Sequence, residues 1–197
     1  MQITTESIKD QIPYYLTQEA KENLVKELNN FSNKTNYYTN LYQQDILQGD
    51  GWLSLPVIDF QSGQRKLIKG ILISNSCDLD PNNKRELPTK ITFAPIIRLN
   101  QYEQLLKTKI SDPKRITDKI TAIKAQHITS LFYLPKGNAL EDEYVALLSD
   151  VHTIPYRTFE QQEGRIKLFT LSQIGFYLFL LKLSVHFCRF HENIDRT

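Results

Sequence analysis

The run Gly49-Asp50-Gly51-Trp52-Leu53-Ser54-Leu55-Pro56-Val57-Ile58-Asp59-Phe60, the tetrapeptide Gln61-Ser62-Gly63-Gln64, and then Arg65-Lys66-Leu67-Ile68-Lys69-Gly70-Ile71-Leu72-Ile73-Ser74-Asn75 decide the fold class. Trp52, Leu53, Leu55, Val57, Ile58 and Phe60 are residues that suit a half-buried pleated strand. Pro56 has no N–H to give a ladder, so it is expected at an edge or a bulge. Gln61 to Gln64, with Gly63 available for positive φ, closes a hairpin. A second strand runs from Lys66 to Asn75. A polar loop over 81–87 leads to a third, Ile91 to Leu99, which carries Pro95. Consecutive strands rich in β-branched residues and joined by short turns predict a small, strongly bent antiparallel sheet.

Composition bounds what such a sheet belongs to. A chain of 197 residues is long enough to bury a proper core without a metal or disulfide framework. The two cysteines, Cys77 and Cys188, are far apart in sequence and suit a reducing cytosol. A formal charge of +2 does not by itself announce a nucleic-acid binder, so any such role rests on a local basic patch. No basic stretch followed by an apolar core opens the chain, and secretion is not expected.

Working outward towards the N-terminus, Tyr37, Tyr38 and Tyr42 sit in an Asn- and Thr-rich stretch read as a loop or short helix. They are expected to cover the core edge rather than to form a base-stacking platform. Further back, Ala20, Leu24, Val25, Leu28 and Phe31 mark one face of an amphipathic helix, and Ile3, Ile8 and Ile12 recur at helical spacing. Residues 1–48 thus read as a helical extension and 49–197 as the sheet domain.

Beyond Leu99 the period changes. Tyr102, Leu105, Leu106 and Ile110 fit one helix, and Pro113 opens another with Ile116, Ile120 and Ile123 on one face. This helical insertion, about 100–127, is the most basic part of the chain, and Lys114, Arg115, Lys119 and Lys124 are its candidate phosphate-binding residues. Strand character returns over Ser130 to Leu134, Tyr144 to Leu148, His152 to Phe159 and Arg165 to Phe169. Thr170 and Gln173 have capping-box spacing and open a last helix, to about residue 190. Lys182, Ser184 and His186 interrupt its apolar run well short of the ~20 residues that a bilayer needs. The helix is expected to be buried against the sheet or across a homodimer.

This order of elements resembles the MazF/PemK-like toxins. The pieces that carry the resemblance are Gly49-Asp50, Leu72-Ile73-Ser74, Phe93-Ala94-Pro95 and the segment Val145 to Ile154; it covers roughly Gly49 to Leu99 and Tyr144 to His186. It implies an α+β protein built on a small antiparallel SH3-like β-barrel, with N-terminal helices, a helical insertion and a C-terminal helix. The function it implies is that of a bacterial toxin-like or anti-phage defence protein of the cytoplasm, a metal-independent endoribonuclease with no cofactor. The alternative is a degenerate barrel that binds protein or nucleic acid without cutting. The implied partners are single-stranded RNA or a cognate protein, antitoxin-like or a defence-complex subunit, with no membrane. Two departures stand out: the position of the family's catalytic arginine falls on Ile68, and that of its hydroxyl residue on Ile97. Lys66, Lys69 and Arg98 are the neighbouring cations, and with Ser74 and Asp78 they make up the candidate catalytic set.

The loop Ser74-Asn75-Ser76-Cys77-Asp78 also has a plain structural reading, as turn chemistry that satisfies backbone groups. Cys77 beside Asp78 is a poor thiolate. His186, Cys188 and His191 lie close in sequence but do not share one helix face, so no metal site is expected from them.

Overall fold

The computed structural model describes residues 36–80, 82–83 and 86–187. The proposed helices before residue 36, together with Cys188 and His191, lie outside the described residues. The fold is mixed α+β, organised on one curled antiparallel sheet of eight strands. In chain order these are β1 (Tyr38–Thr39), β2 (Gly51–Ile58), β3 (Arg65–Leu72), β4 (Lys90–Arg98), β5 (Leu131–Leu134), β6 (Tyr144–Leu147), β7 (His152–Pro155) and β8 (Ile166–Leu171). The helices among the described residues are α1 (Ser76–Leu79), α2 (Leu99–Lys107), α3 (Pro113–Lys124), α4 (Tyr156–Glu160) and α5 (Gln173–Phe187).

The strands run in the order β1-β8-β2-β3-β4-β6-β5, with β7 also on β4. The 49–99 strands and the later strands therefore share one sheet, because β8 pairs with β2 while β6 and β7 pair with β4. The ends of the sheet approach one another. The Tyr38 phenol donates to Pro135 O at 2.7 Å, and Ala139 N–H donates to Leu168 O at 3.3 Å.

Both prolines fall where a ladder is interrupted. Pro56 lies beyond Leu53↔Ile166, the last β2–β8 pair, and just past a register shift at which Ser54 takes φ 65°. Pro95 lies between Phe93↔His152 and Ile96↔Ala146. There β4 spends two residues, Ala94 and Pro95, while the partner chain spends five, Leu147 to Val151. The missing N–H costs nothing at such a slip. The hairpin is as expected, with Gly63 at φ 67°.

Strand alternation divides the core. Ile71, Ala94, Ile96, Tyr144 and Ala146 face one cluster, into which α5 inserts Leu178, Phe179 and Leu183. Trp52, Leu55, Leu72, Ile91 and Phe93 face a second, closed by Phe159 of α4. Leu99, Leu131 and Val145 face a third, covered by Ile123 of α3. Two close approaches require glycine. The Phe169 ring lies where a Cβ on Gly51 would be, at 2.1 Å, and a Cβ on Gly175 would come within 2.5 Å of Tyr37 O.

Four readings change. Tyr37 and Tyr38 are buried, and Tyr38 enters a strand rather than a loop or helix. The segment from His152 leaves strand geometry at Pro155 and forms α4. Thr170 stays within β8, and Ser172 caps α5 instead, its Oγ accepting from Gly175 N–H at 3.2 Å. Lys182, expected as a polar interruption, is fully buried. No helix among the described residues is long and apolar enough to cross a membrane.

Lys167 on β8 organises the start of β2. Its ammonium lies 2.8 Å from Asp50 Oδ2 and donates to Tyr42 O at 2.9 Å, Asp45 O at 2.6 Å and Thr170 Oγ1 at 3.3 Å. The Asp50 side chain is fully buried and that of Lys167 only 7% exposed. Burial pushes the Asp50 carboxyl up, against the opposing pull of its Lys167 and Leu47 hydrogen bonds. Removing one partner of a buried pair strands the other charge. Lys167→Met is therefore expected to cost ~3–5 kcal/mol in chemical denaturation, and adding Asp50→Asn to recover part of that loss.

Among the described residues, Lys182 has no carboxylate partner. It donates to the carbonyls of Gln126, at 2.9 Å, and Ile128, beyond the last turn of α3, where backbone oxygens favour a cation. Burial lowers its pKa from 10.5 to about 8. Between those values the unfolded chain holds a proton that the folded chain does not, so stability rises with pH across the window. The gap corresponds to about 3 kcal/mol in full. Tyr37 and Tyr38, raised by burial, oppose the rise at its alkaline end. Denaturant midpoints measured from pH 8 to 10 should climb in the parent, whereas in Lys182→Met the climb should be absent and only the tyrosine-driven decline towards pH 10 should remain.

Candidate functional site

On β3, Lys66 and Lys69 are three residues apart and so project from opposite faces of the sheet. Lys69 shares the face of Ile71; Lys66 shares that of Ile68 and Leu72. Arg98 ends β4 on the same face as Ala94 and Ile96, and the β4–β6 register sets it opposite Tyr144. The result is a cluster at one end of that face. Lys69 Nζ donates to the Tyr144 hydroxyl at 2.7 Å, and Arg98 Nε lies 3.2 Å from Asp142 Oδ2. Tyr144 is buried, Lys69 half-buried and Arg98 exposed. Burial raises the Tyr144 pKa, but the hydrogen bonds and charges of Lys69 and Arg98 more than offset it, and the phenol lies below its ordinary value. Arg98 is raised by the same hydroxyl first and by Asp142 after it.

A second network adjoins it along the chain. Glu143 accepts from the Tyr133 hydroxyl and from Lys124 Nζ, the latter at 2.8 Å. Burial pushes the Glu143 carboxyl up, and its bonds to Lys124 and Tyr133 outweigh that and bring it down. Lys124 on α3 is thus drawn to the start of β6, beside Tyr144. The other basic residues of α3 are arranged differently. Lys119 lies over the Tyr102 ring, 5.9 Å from its centroid, while Lys114 and Arg115 are exposed in the first turn, where the Asp112 side chain caps the helix through Lys114 N–H.

The remaining members of the catalytic set lie elsewhere. Lys66 pairs with Asp59 at the mouth of the β2–β3 hairpin. Ser74 lies past the other end of β3, about 16 Å along an extended chain from Lys69. Its hydroxyl accepts from Thr92 N–H at 2.7 Å and so joins β3 to β4. Asp78 is exposed on α1, whose cap is Asn75, accepting from Cys77 N–H at 2.9 Å. Structural turn chemistry thus accounts for Ser74 and Asn75. Ile68 and Ile97, the positions on which the resemblance would place an arginine and a hydroxyl residue, pack against the second and third clusters. They face away from Lys69 and Arg98, so those cations do not replace the missing residues in place. Among the described residues, no group of three or more His, Cys, Asp or Glu side chains is arranged to hold a metal ion.

Tyr144 is the member of this site that the sequence left unmarked. Its signal lies only in the register that sets β6 against β4. No protein-family model and no curated protein matches the chain.

The phenol between two cations is expected to ionise below the ordinary tyrosine value and before Tyr37, Tyr38, Tyr133 and Tyr156, which burial raises. In an alkaline titration followed by tyrosinate absorbance, the first step should vanish in Tyr144→Phe and move to higher pH in Lys69→Met. An unchanged first step in both variants would assign it to another tyrosine.

Proposed function

We propose that the protein is an RNA-binding barrel of toxin-like or anti-phage defence type, in which Lys69 and Arg98 hold a phosphodiester of single-stranded RNA beside Tyr144. The supporting observation is the convergence of two cations from different strands on one hydroxyl. Each has an exchangeable partner, Tyr144 for Lys69 and Asp142 for Arg98, and a phosphate oxygen offers both a stronger charge-assisted acceptor. Lys124, one helix away, extends the cationic surface. The apolar packing of Ile68 and Ile97 favours binding without the family's own cleavage machinery, the catalytically degenerate form of the MazF/PemK-like barrel.

A second reading, metal-independent RNA cleavage, is favoured by the lowered Tyr144 phenol. A tyrosine near two cations has the parts required to take a proton from a 2′-hydroxyl while charge develops on the phosphate.

One experiment treats both. Mixed single-stranded RNA is titrated with the full chain by fluorescence anisotropy, and its length is followed on gels with and without EDTA. Binding is expected to weaken at least tenfold in Lys69→Ala/Arg98→Ala, with a shallower salt dependence, because fewer counterions are released. Equal binding by that variant would overturn the first reading. Cutting that survives EDTA and disappears in Tyr144→Phe, with binding retained, would establish the second; intact RNA under both conditions would end it.

A further inference from the structure

A carboxylate stands in contact with the Lys69, Tyr144 and Arg98 cluster. Asp142, two residues before Tyr144, meets Arg98 Nε at 3.2 Å, and the Arg98 and Asp142 side chains are 46% and 49% exposed, open to a ligand. The neighbouring acidic side chains are placed differently. Glu143 is committed to Lys124 Nζ, at 2.8 Å, and to the Tyr133 hydroxyl. Glu141 is exposed and reaches Arg98 through its charge. Lys69 and Arg98 can only donate, and the Tyr144 hydroxyl, which already accepts from Lys69 at 2.7 Å, has its own proton to give. An ionised Asp142 can only accept.

Such a carboxylate restricts what the cations can hold. A phosphodiester that takes Arg98 away from Asp142 strips the carboxylate of its partner and sets a like charge beside it, a costly arrangement. The cost is relieved when the same ligand brings a donor to Asp142. An RNA backbone has one, the 2′-hydroxyl, next to the 3′-phosphate on the same ribose, and a DNA backbone has none. The 2′-hydroxyl also accepts, so it can take the place between the Asp142 carboxylate and the guanidinium that their direct contact now fills.

We infer, on the basis of the phosphate reading of Lys69 and Arg98, that Asp142 is the residue by which this site distinguishes RNA from DNA: it accepts from a ribose 2′-hydroxyl while the two cations hold the adjacent phosphate. Against a strand without that donor, Asp142 is a repulsive element, and specificity arises from the difference.

The full chain is titrated by fluorescence anisotropy, at one salt concentration, with labelled single strands of a common sequence of adenine and cytosine made as RNA, as DNA and as 2′-fluoro RNA. Fluorine keeps the sugar pucker of RNA but cannot donate, so the last strand separates the hydroxyl proton from backbone shape. The parent is expected to bind RNA at least tenfold more tightly than either other strand, the loss expected for one hydrogen bond to a charged group. Asp142→Ala should tighten the binding of DNA and of 2′-fluoro RNA and bring the three affinities together. Its melting temperature should match the parent's, because a half-exposed ion pair adds little stability. Glu141→Ala removes a charge of the same sign nearby, so it should shift all three affinities alike and keep their ratio. Equal binding of the three strands by the parent, an undiminished RNA preference in Asp142→Ala, or an equal loss of preference in Glu141→Ala would overturn the role of Asp142 and leave the phosphate site standing. Failure of every strand to bind the parent would instead overturn the phosphate reading, and the role of Asp142 with it.

Discussion

A single buried ammonium holds the start of the sheet together. Lys167 meets four oxygens from three parts of the chain: the carbonyls of Tyr42 and Asp45, the Asp50 carboxylate, and the Thr170 hydroxyl of its own strand. An ammonium withdrawn from water must find such partners, and a carboxylate beside it must as well. The pair therefore fixes more than itself. Asp50 O accepts from Leu72 N–H at 2.9 Å and Leu72 O accepts from Gly49 N–H at 2.9 Å, which sets the end of β3 against the start of β2. The register of β3 in turn decides that Lys69, and not Lys66, faces Tyr144. On the other side of the ammonium, the 42–45 turn is pinned with Tyr42 in a left-handed conformation. The Lys69, Tyr144 and Arg98 cluster inherits its geometry from this contact.

Charge along the start of β6 is nearly balanced. Lys69, Arg98 and Lys124 alternate with Asp142, Glu143 and two tyrosine hydroxyls, so the cations are oriented by internal acceptors before any ligand arrives. Such a surface differs from a bare basic patch. A ligand must displace ordered contacts, which lowers gross attraction and raises the demand for correct geometry. The formal charge of the chain, +2, gives no hint of this, because the relevant feature is an arrangement rather than an excess.

Much of the architecture was legible in the sequence, and the limit of legibility has a physical cause. Strand alternation, the Gly63 hairpin, the Pro113 helix start and the apolar run of α5 are local signals, and the structure reproduces them. Relations between distant segments were not legible. The offset between β6 and β7 along β4, the pairing of β1 with β8 and the burial of Lys182 each depend on what a remote segment supplies. Lys182 looked like an ordinary polar break because its partners, the carbonyls of Gln126 and Ile128, carry no side-chain signature. Only Thr170 has capping-box spacing, to Gln173, since Ser172 is followed three residues later by Gly175; either hydroxyl can nevertheless cap a helix, and the length of β8 decides between them. For the site, the sequence supplied Lys69 and Arg98, while the pairing of Arg98 with Tyr144 required the fold.

The distance along the chain between the two halves of the Lys167 contact bears on how the protein is made. Asp50 and Gly51 leave the ribosome well before Lys167 and Phe169, which complete that end of β2. Until then β2 presents an unpaired edge beside Trp52, and β3 and β4 form without the strand that closes them. Long-range pairing of this kind slows folding, and open edges of apolar strands are where nascent chains associate wrongly. The same buried contact that orders the finished sheet thus leaves its first strands exposed through much of synthesis, the interval in which a chaperone holding β2 would have the largest effect on yield.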